Sequence, residues 1–516
     1  MENTYLKKYY PLLPALTSGI LLALAFPRFD LSVLAWISFV PLLFSLWKKD
    51  SRESFVAGFA FGMVYFFGTL YWIYHSINHF GGAPFFASIV IVLLLCAYLS
   101  LFPAFFSMLF SLTYKKTKLP ALFIAPVLWV SIEFVRSYAL TGFPWSSVGY
   151  TQYRFLSLIQ ISDITGIYGI SFLIISFNGF IADLLLIRDK VKEMPLFPLS
   201  YFMTGAALLL LLTIGIFGYG FWRLHQDRIG KDLTVSVIQG NIEQDKKWEP
   251  VFQKEVFDTY TRLSQDALKD NPSMIIWPET ALPFFFGSDA ANTDLLIQFQ
   301  KQTGVPLLFG SVLVKKRSEK NMELTNSAVL LDREGNKAAV YDKIHLVPFG
   351  EYVPLRKVLF FVDKLVVGIG DYIPGTQYLQ ADTEVGRFST LICYEVIFPG
   401  MVRKFFVRGG DFMVTITNDA WFGYTAGPYQ HFSMAVFRAI ENRKPVVRAA
   451  NTGISGFIDS NGRVLMRSGL FDRQVLTDTL KTDTSMTFYT KFGDIFSFFC
   501  IVISIILLVN LVPRRR

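Results

Sequence analysis

The chain has 516 residues, 52% of them apolar, 16% aromatic and only 17% charged, with 52 phenylalanines and a formal net charge of +9. That length allows more than one domain, and that composition makes a membrane protein the first expectation. Three cysteines (Cys96, Cys393 and Cys500) and five histidines provide neither a disulfide framework nor metal-ligand spacing, and no nucleic-acid motif accompanies the basic charge.

In chain order, apolar runs lie at about 10–27, 31–47, 54–75, 84–112, 119–136, 156–187 and 199–222, and an eighth at about 491–512. About 20 apolar residues suffice to cross a bilayer. The fourth and sixth runs are long, with tilts or breaks expected near Pro103 and Gly166. Basic residues mark alternate ends: Lys7 and Lys8; Lys48, Lys49 and Arg52; Lys115, Lys116 and Lys118; Arg188, Lys190 and Lys192; and Arg514, Arg515 and Arg516. The opposite connections hold only Arg28, Arg136 and Arg154. This alternation places both termini in the cytoplasm, which needs an even number of spans, and puts the polar block between runs seven and eight outside. A multi-spanning pattern follows the first run at once, so it reads as an uncleaved span and not a signal peptide. Glu133, Asp163 and Asp183 lie in or near spans and are functional candidates by default; Glu133 could instead be a structural partner of Arg136. Thr141–Tyr150 is rich in aromatics and turn formers without charge. It fits either an interfacial belt or a loop that folds back to line a lipid path.

From about Arg223 to Thr490 the pattern becomes that of a globular domain. Lys231–Gln239 alternates as a strand, and Phe252, Val256, Tyr260, Leu263 and Ala267 give 251–269 an amphipathic helical face. Strands are expected at Met274–Trp277, Pro306–Val314, Ser327–Leu331, Lys337–Tyr341, Phe388–Cys393, Phe412–Thr417, Val446–Ala450 and Ile454–Asp459, and helices near 292–303 and 428–442. So many strands alternating with helices suggest two sheets covered by helices. The expected organisation is a transmembrane domain over 1–222, a catalytic domain over 223–490 and a last span with a basic tail over 491–516.

Three strand ends in this domain carry reactive groups. Glu279 stands between Pro278 and Pro283. Lys343 leaves a strand into a turn closed by Pro348 and Pro354. Cys393 ends the apolar run Arg387–Cys393. Prolines fix the backbone where a side chain has to be held. A free thiol is only a few per cent thiolate at neutral pH. Glu279 could take its proton and return one to a leaving group. Lys343, with the backbone N–H after Cys393, could hold the charge developing on a carbonyl oxygen. Each residue has a plainer reading: a solvated loop acid, a surface lysine, a core cysteine.

The framing of all three resembles the nitrilase superfamily, whose Glu–Lys–Cys triad works in an α-β-β-α sandwich. With its spans, nearly the whole chain resembles the apolipoprotein N-acyltransferase family of bacterial inner membranes. The likeness rests on Gly142-Phe143-Pro144-Trp145, Ile238–Ile242, Trp277–Thr280, His345–Tyr352, Cys393–Glu395, Asn418–Gly423, Gly427–His431 and Arg448–Gly453, where Ala450 stands in place of a common Thr. The resemblance implies a two-step acyl transfer. Cys393 would take the sn-1 acyl chain of a phospholipid, usually phosphatidylethanolamine, as a thioester. The α-amine of a diacylglyceryl-cysteine at an apolipoprotein N-terminus would then receive it. It implies supporting roles for Trp248, Glu351, Tyr394 and Glu395, brings in Trp145 through its motif, and calls for no cofactor or metal. One of Glu351 and Glu395 would orient Lys343 or tune its proton; the alternative for each is an ion pair that merely holds the loop. The apolar stretches Leu282–Gly287 and Leu359–Gly368 are candidate arms toward lipid, with core packing as the competing reading. The same triad would serve a membrane-anchored amidase, which is the main alternative. A non-enzymatic scaffold or transporter is a third reading, which the intact triad and the lack of symmetric, broken charged spans weigh against.

Overall fold

The computed structural model describes residues 12–117, 119–188, 197–226, 230–317, 322–353 and 371–510. Lys7, Lys8, Lys118, Lys190, Lys192, Arg514–Arg516 and the expected arm at Leu359–Gly368 lie outside the described residues. The chain divides into two compact units, one of residues 1–74, 85–225 and 492–516, the other of residues 75–84 and 226–491.

The first unit is helical: α1 (Leu13–Leu24), α2 (Val40–Leu46), α3 (Ser51–Leu70), α4 (Phe85–Thr117), α5 (Ala121–Arg136), α6 (Tyr168–Arg188) and α7 (Leu199–Leu224), with a last helix at Ile495–Val509. Four of these, α3, α4, α6 and α7, are long and apolar enough to cross a membrane, while Leu13–Leu24, Ser32–Leu46 and Ile495–Val509 are shorter apolar helices. Asp50 caps α3 by a reciprocal pair of bonds with Glu53. The break expected at Gly166 is present, with a left-handed φ of +62° between two helices. The one expected at Pro103 is not. The 33-residue α4 runs through it for about 50 Å, with the proline ring packed closely against Gly62 of α3, where a side chain would not fit.

The three carboxylates near the spans are structural ties. Asp183 accepts from the N–H groups of Ala121 and Leu122, both at 3.0 Å, so it caps α5 from a neighbouring helix. Asp163 binds Tyr219 at 2.8 Å and Arg223 at 2.6 Å. Glu133 and Arg136 both hold the loop that follows α5: Glu133 accepts from Val148 N–H at 2.8 Å, and Arg136 donates to the carbonyls of Phe143 at 3.2 Å and Trp145 at 2.6 Å. That loop is no exposed belt. Residues 144–150 are buried, with Trp145 packed on Trp72 at 4.8 Å between ring centres.

The second unit holds two sheets. Its strands are β1 (Asp232–Gln239), β2 (Met274–Ile276), β3 (Leu307–Arg317), β4 (Met322–Leu331), β5 (Lys337–Asp342), β6 (Asp371–Tyr372), β7 (Ala381–Thr383), β8 (Gly386–Ile392), β9 (Phe412–Thr417), β10 (Val446–Ala450), β11 (Gly456–Ile458), β12 (Val464–Arg467) and β13 (Gln474–Lys481). One sheet has the order β13-β1-β2-β3-β4-β5 with β6 beside β4; the other runs β12-β11-β10-β9-β8-β7. Helices α8 (Gln253–Ala267), α9 (Ala290–Thr303), α10 (Pro399–Phe406) and α11 (Gly427–Asn442) complete it. Parallel strands covered on both faces read as unbroken apolar runs, and β8, β9 and β10 are parallel neighbours whose residues are buried nearly throughout. Four strands were not expected: β6 and β7 are two and three residues long, and β12 and β13 end their sheets.

The topology brings reactive residues to the ends of strands in both sheets. In the first sheet β1, β2 and β3 are parallel. β4 runs against β3 and β5, so β5 points the same way as β3. Glu279 after β2 and Lys343 after β5 therefore leave by the same edge. Cys393, Asn418 and Asn451 follow the parallel strands β8, β9 and β10 in turn. Asn451 stitches the two sheets there. Its side chain accepts from Ile242 N–H at 2.9 Å and donates to Ile242 O at 2.8 Å and to Asn418 Oδ1 at 3.1 Å. Open α/β sheets place their sites at such strand ends.

Candidate active site

Glu279 sits in a tight turn that begins as soon as β2 ends, with Thr280 in the left-handed region at φ +45°. Gly310 of β3 lies under this turn. A Cβ there would stand 2.5 Å from Thr280 N and 2.6 Å from Glu279 Cα, so only glycine lets the strand approach. The carboxylate is oriented by three donors: Asn326 Nδ2 at 2.7 Å, Lys343 Nζ at 3.5 Å and, on its other oxygen, Asn418 N–H at 2.9 Å. Lys247 fixes the turn from behind, donating to Glu279 O at 3.1 Å and Thr280 Oγ1 at 2.7 Å. Burial pushes that lysine down to about 7, against the pull of Glu279.

Lys343 is 1% exposed. Its nearer carboxylate is Glu351, at 2.9 Å against 3.5 Å for Glu279. Burial works against its charge, but Glu351 and Glu279 outweigh it and hold the ammonium protonated well above its ordinary range. Asn326 donates to Glu351 as well, at 2.9 Å, and Val347 N–H holds the other Glu351 oxygen at 2.7 Å. Asn326, Glu279, Glu351 and Lys343 thus form one closed cluster.

Cys393 begins a short 3-10 turn directly after β8, with φ +52°. A non-glycine residue in that region stores on the order of 1–3 kcal/mol of strain, which surrounding bonds must hold. Burial raises the thiol, Glu279 raises it further, and Lys343 draws it back only in part, so the resting group is the protonated thiol. Glu395 ties this turn to the Lys343 loop: one oxygen accepts from Tyr341 OH at 2.7 Å, Ile344 N–H at 2.7 Å and His345 N–H at 3.2 Å, the other from Ile392 N–H at 2.7 Å. Of the two acids, then, Glu351 contacts Lys343 and Glu395 braces the loop.

The expected residues fall into place unevenly. Glu279, Lys343 and Glu351, at strand ends of the first sheet, gather with Cys393, Tyr394 and Glu395 after β8 of the second. Tyr394 meets the His345 ring at a tilt and the Phe398 ring edge-on. Trp248 is half-buried against Phe285. Trp145 belongs to the helical unit. The arm expected at Leu282–Gly287 is corrected: Phe284 and Phe286 are buried in the core, where Phe286 packs edge-on to Phe309, so this stretch is filling and not a lipid probe. Sequence reasoning missed Asn326 and Lys247. An asparagine inside a strand and a lysine beside a second lysine and an acid carry no signal until folding buries them.

Two helix-covered sheets with Glu, Lys and Cys at adjoining strand ends define a nitrilase-like domain, and residues 234–487 match the carbon-nitrogen hydrolase family model. Residues 18–180 match the model of the apolipoprotein N-acyltransferase N-terminal domain. The chain is 43% identical to the apolipoprotein N-acyltransferase of Geobacter metallireducens over 95% of its own length and 93% of the relative's. It is 34% identical to those of Pasteurella multocida and Haemophilus influenzae, over 95% of this chain and 93% and 92% of those. An amidase from Nesterenkonia sp. is similar at 20% identity, with a TM-score of 0.37, over 50% of this chain and 94% of that one. The chain belongs to the apolipoprotein N-acyltransferase family: it is a membrane protein and an acyltransferase.

Proposed function

We propose that the protein moves the sn-1 acyl chain of a phospholipid, phosphatidylethanolamine in the first instance, to the α-amine of a diacylglyceryl-cysteine at an apolipoprotein N-terminus. The observation that carries this reading is the meeting of Glu279 and Lys343, at strand ends of one sheet, with the strained Cys393 at a strand end of the other. Cys393 Sγ attacks the ester carbonyl while Glu279 takes the thiol proton. Burial has left that thiol protonated, so the base is needed. The oxyanion is held by Lys343 Nζ and the N–H of Tyr394, donors already in place before the charge develops. The C–O bond breaks, Glu279 returns its proton to the leaving lysophospholipid, and a thioester remains. The acceptor amine then attacks the thioester. Glu279 receives the amine proton, the C–S bond breaks, and the thiol is restored. Glu351 keeps Lys343 charged and aimed, Glu395 and Tyr394 shape the Cys393 turn, and Trp248 and Trp145 serve lipid binding. Every proton and charge in this sequence is handled by the chain itself, so no cofactor is called for.

The membrane arrangement belongs to the same proposal: about eight spans over 1–222 and 491–512, both termini cytoplasmic, and residues 223–490 on the periplasmic face of a bacterial inner membrane. Four long apolar helices and the alternating lysines and arginines support it.

The test is intact mass of the full chain purified with phospholipid, before and after neutral hydroxylamine. A fatty-acyl adduct that hydroxylamine removes, absent from a folded Cys393→Ala variant, is expected, followed by discharge on adding a diacylated lipopeptide. Wild-type protein without an adduct but active on small amides would replace this reading with an amidase.

A further inference from the structure

Among the fully buried ionisable side chains that have no part in the chemistry above are Asp419, His431 and Arg448, each 0% exposed. They come from three elements, the turn after β9, the first turns of α11 and the middle of β10. His431 Nδ1 lies 2.9 Å from Asp419 Oδ1 and 2.9 Å from Arg448 Nη2. Arg448 Nη2 donates to Asp419 Oδ2 at 3.0 Å, and Thr417 Oγ1 to Asp419 Oδ1 at 2.8 Å. The other ring nitrogen, Nε2, meets the carbonyl oxygen of Cys393 at 3.2 Å. Burying such a set costs desolvation that an apolar trio would avoid, so packing α11 onto the sheet does not account for it.

The chemistry of the last contact fixes a proton. A carbonyl oxygen only accepts, so Nε2 carries the hydrogen. Burial and Arg448 lower the proton affinity of the ring, and Asp419 and the Cys393 carbonyl pull it back only in part; Nδ1 faces Asp419 Oδ1 and Arg448 Nη2, both at 2.9 Å, so the Nε2 hydrogen is the one committed to the Cys393 carbonyl. The carbonyl of Cys393 and the N–H of Tyr394 belong to one planar trans peptide and point in opposite directions. Whatever holds the carbonyl therefore aims the N–H.

We propose that Asp419, His431 and Arg448 form a positioning device in which His431 grips the Cys393 carbonyl and, through that rigid peptide, aims the Tyr394 N–H at the oxyanion. The bond also polarises the peptide and strengthens the N–H as a donor. His431 is thus a positioning residue, acting on the backbone donor without touching substrate. The inference rests on the thioester reading of Cys393.

Two variants separate this role from a structural one. In His431→Gln the amide nitrogen reaches the place of Nε2 and keeps the bond to Cys393. In His431→Asn the amide reaches only the place of Nδ1, where its nitrogen can donate to Asp419 or its oxygen accept from Arg448, but nothing reaches the Cys393 carbonyl. Each full-length variant, checked for wild-type unfolding temperature, is assayed for acyl-enzyme formation from phospholipid and for alkylation of Cys393 by iodoacetamide, which passes through no oxyanion. The expected result is that His431→Asn acylates about 100-fold more slowly than wild type with unchanged KM, that His431→Gln recovers most of that rate, and that alkylation stays within about threefold of wild type in both. The proposal is overturned if His431→Asn outperforms His431→Gln, if the two acylate alike, or if alkylation falls along with acylation. A wild type that forms no thioester would instead overturn the reading beneath it.

Discussion

The two halves of the site are held by different means. On the first sheet, Glu279, Lys343, Glu351 and Asn326 hold one another side chain to side chain at 2.7–3.5 Å, and three of the four are ionisable. On the second sheet Cys393 is held through its backbone, by a left-handed φ, by Glu395 on the flanking Ile392 N–H and by His431 on its carbonyl. The first half stores charge; the second stores conformation. A substitution that removes a charge without changing shape should therefore disable the first half alone, and one that moves backbone without touching charge should show whether position matters there as well.

The largest effect is expected for Glu279→Gln. The change is isosteric, but its amide nitrogen must face a donor and Lys343 loses one counter-charge, so unfolding temperature should drop while the fold is kept; it also removes the base, so acyl-enzyme formation should fall about 1000-fold. Rapid-quench intact mass gives the rate directly. A variant retaining a tenth of wild-type rate would mean that Glu279 serves geometry and that the contrast between the halves is false. Next comes Gly310→Ala, which alters no charge. Its new methyl meets only backbone of the Glu279 turn, at 2.5–2.6 Å, so the turn must shift by tenths of an ångström or more. A displacement of that order is expected to cost about 100-fold in the same assay. Near-wild-type activity would show that the carboxylate tolerates movement, and that the first half depends on charge alone.

The halves also differed in how far they could be read from sequence. Glu279, Lys343 and Cys393 were legible because each closes an apolar strand and sits in a stretch stiffened by proline or framed by aromatics. Buried parallel strands such as Phe412–Thr417 and Val446–Ala450 were legible for the same reason, as unbroken apolar runs. β13 was not: only Leu476 and Leu480 of its eight residues are buried, so its pairing with β1 leaves no apolar run. β12 is exposed along its whole length. Asn326 was illegible because its partners are 25 and 47 residues away and meet it only through the pairing of β4 with β5 on one side and with β3 on the other. His431 stood in a motif, but its target is a carbonyl 38 residues upstream, and main-chain acceptors leave no mark in a sequence.

The smallest expected effect concerns the residue that joins the halves. His345 belongs to the Lys343 loop, donates its N–H to Glu395 at 3.2 Å and lays its ring on Phe398, 3.9 Å between centres. Burial, then the charge of Lys343, push the ring down to about 4. A group whose folded value lies below its ordinary 6.5 contributes stability that is present above 6.5 and lost as pH falls through 4. Glu395 has the opposite sign, since burial lifts it to about 7 against its four donors, and its contribution is present below 4.5 and lost as pH rises through 7. The two slopes oppose each other between 4.5 and 6.5, so the wild type should show a shallow dependence there. His345→Gln removes one of them. Its unfolding temperature should lie below wild type at pH 7, with the gap closing by about 3 °C as the buffer is taken to pH 4.5, while acylation at pH 7 changes little. A gap that stays constant across that range would mean that the ring accepts its proton in place, and that the Lys343 charge reaches no further than the two glutamates it bridges.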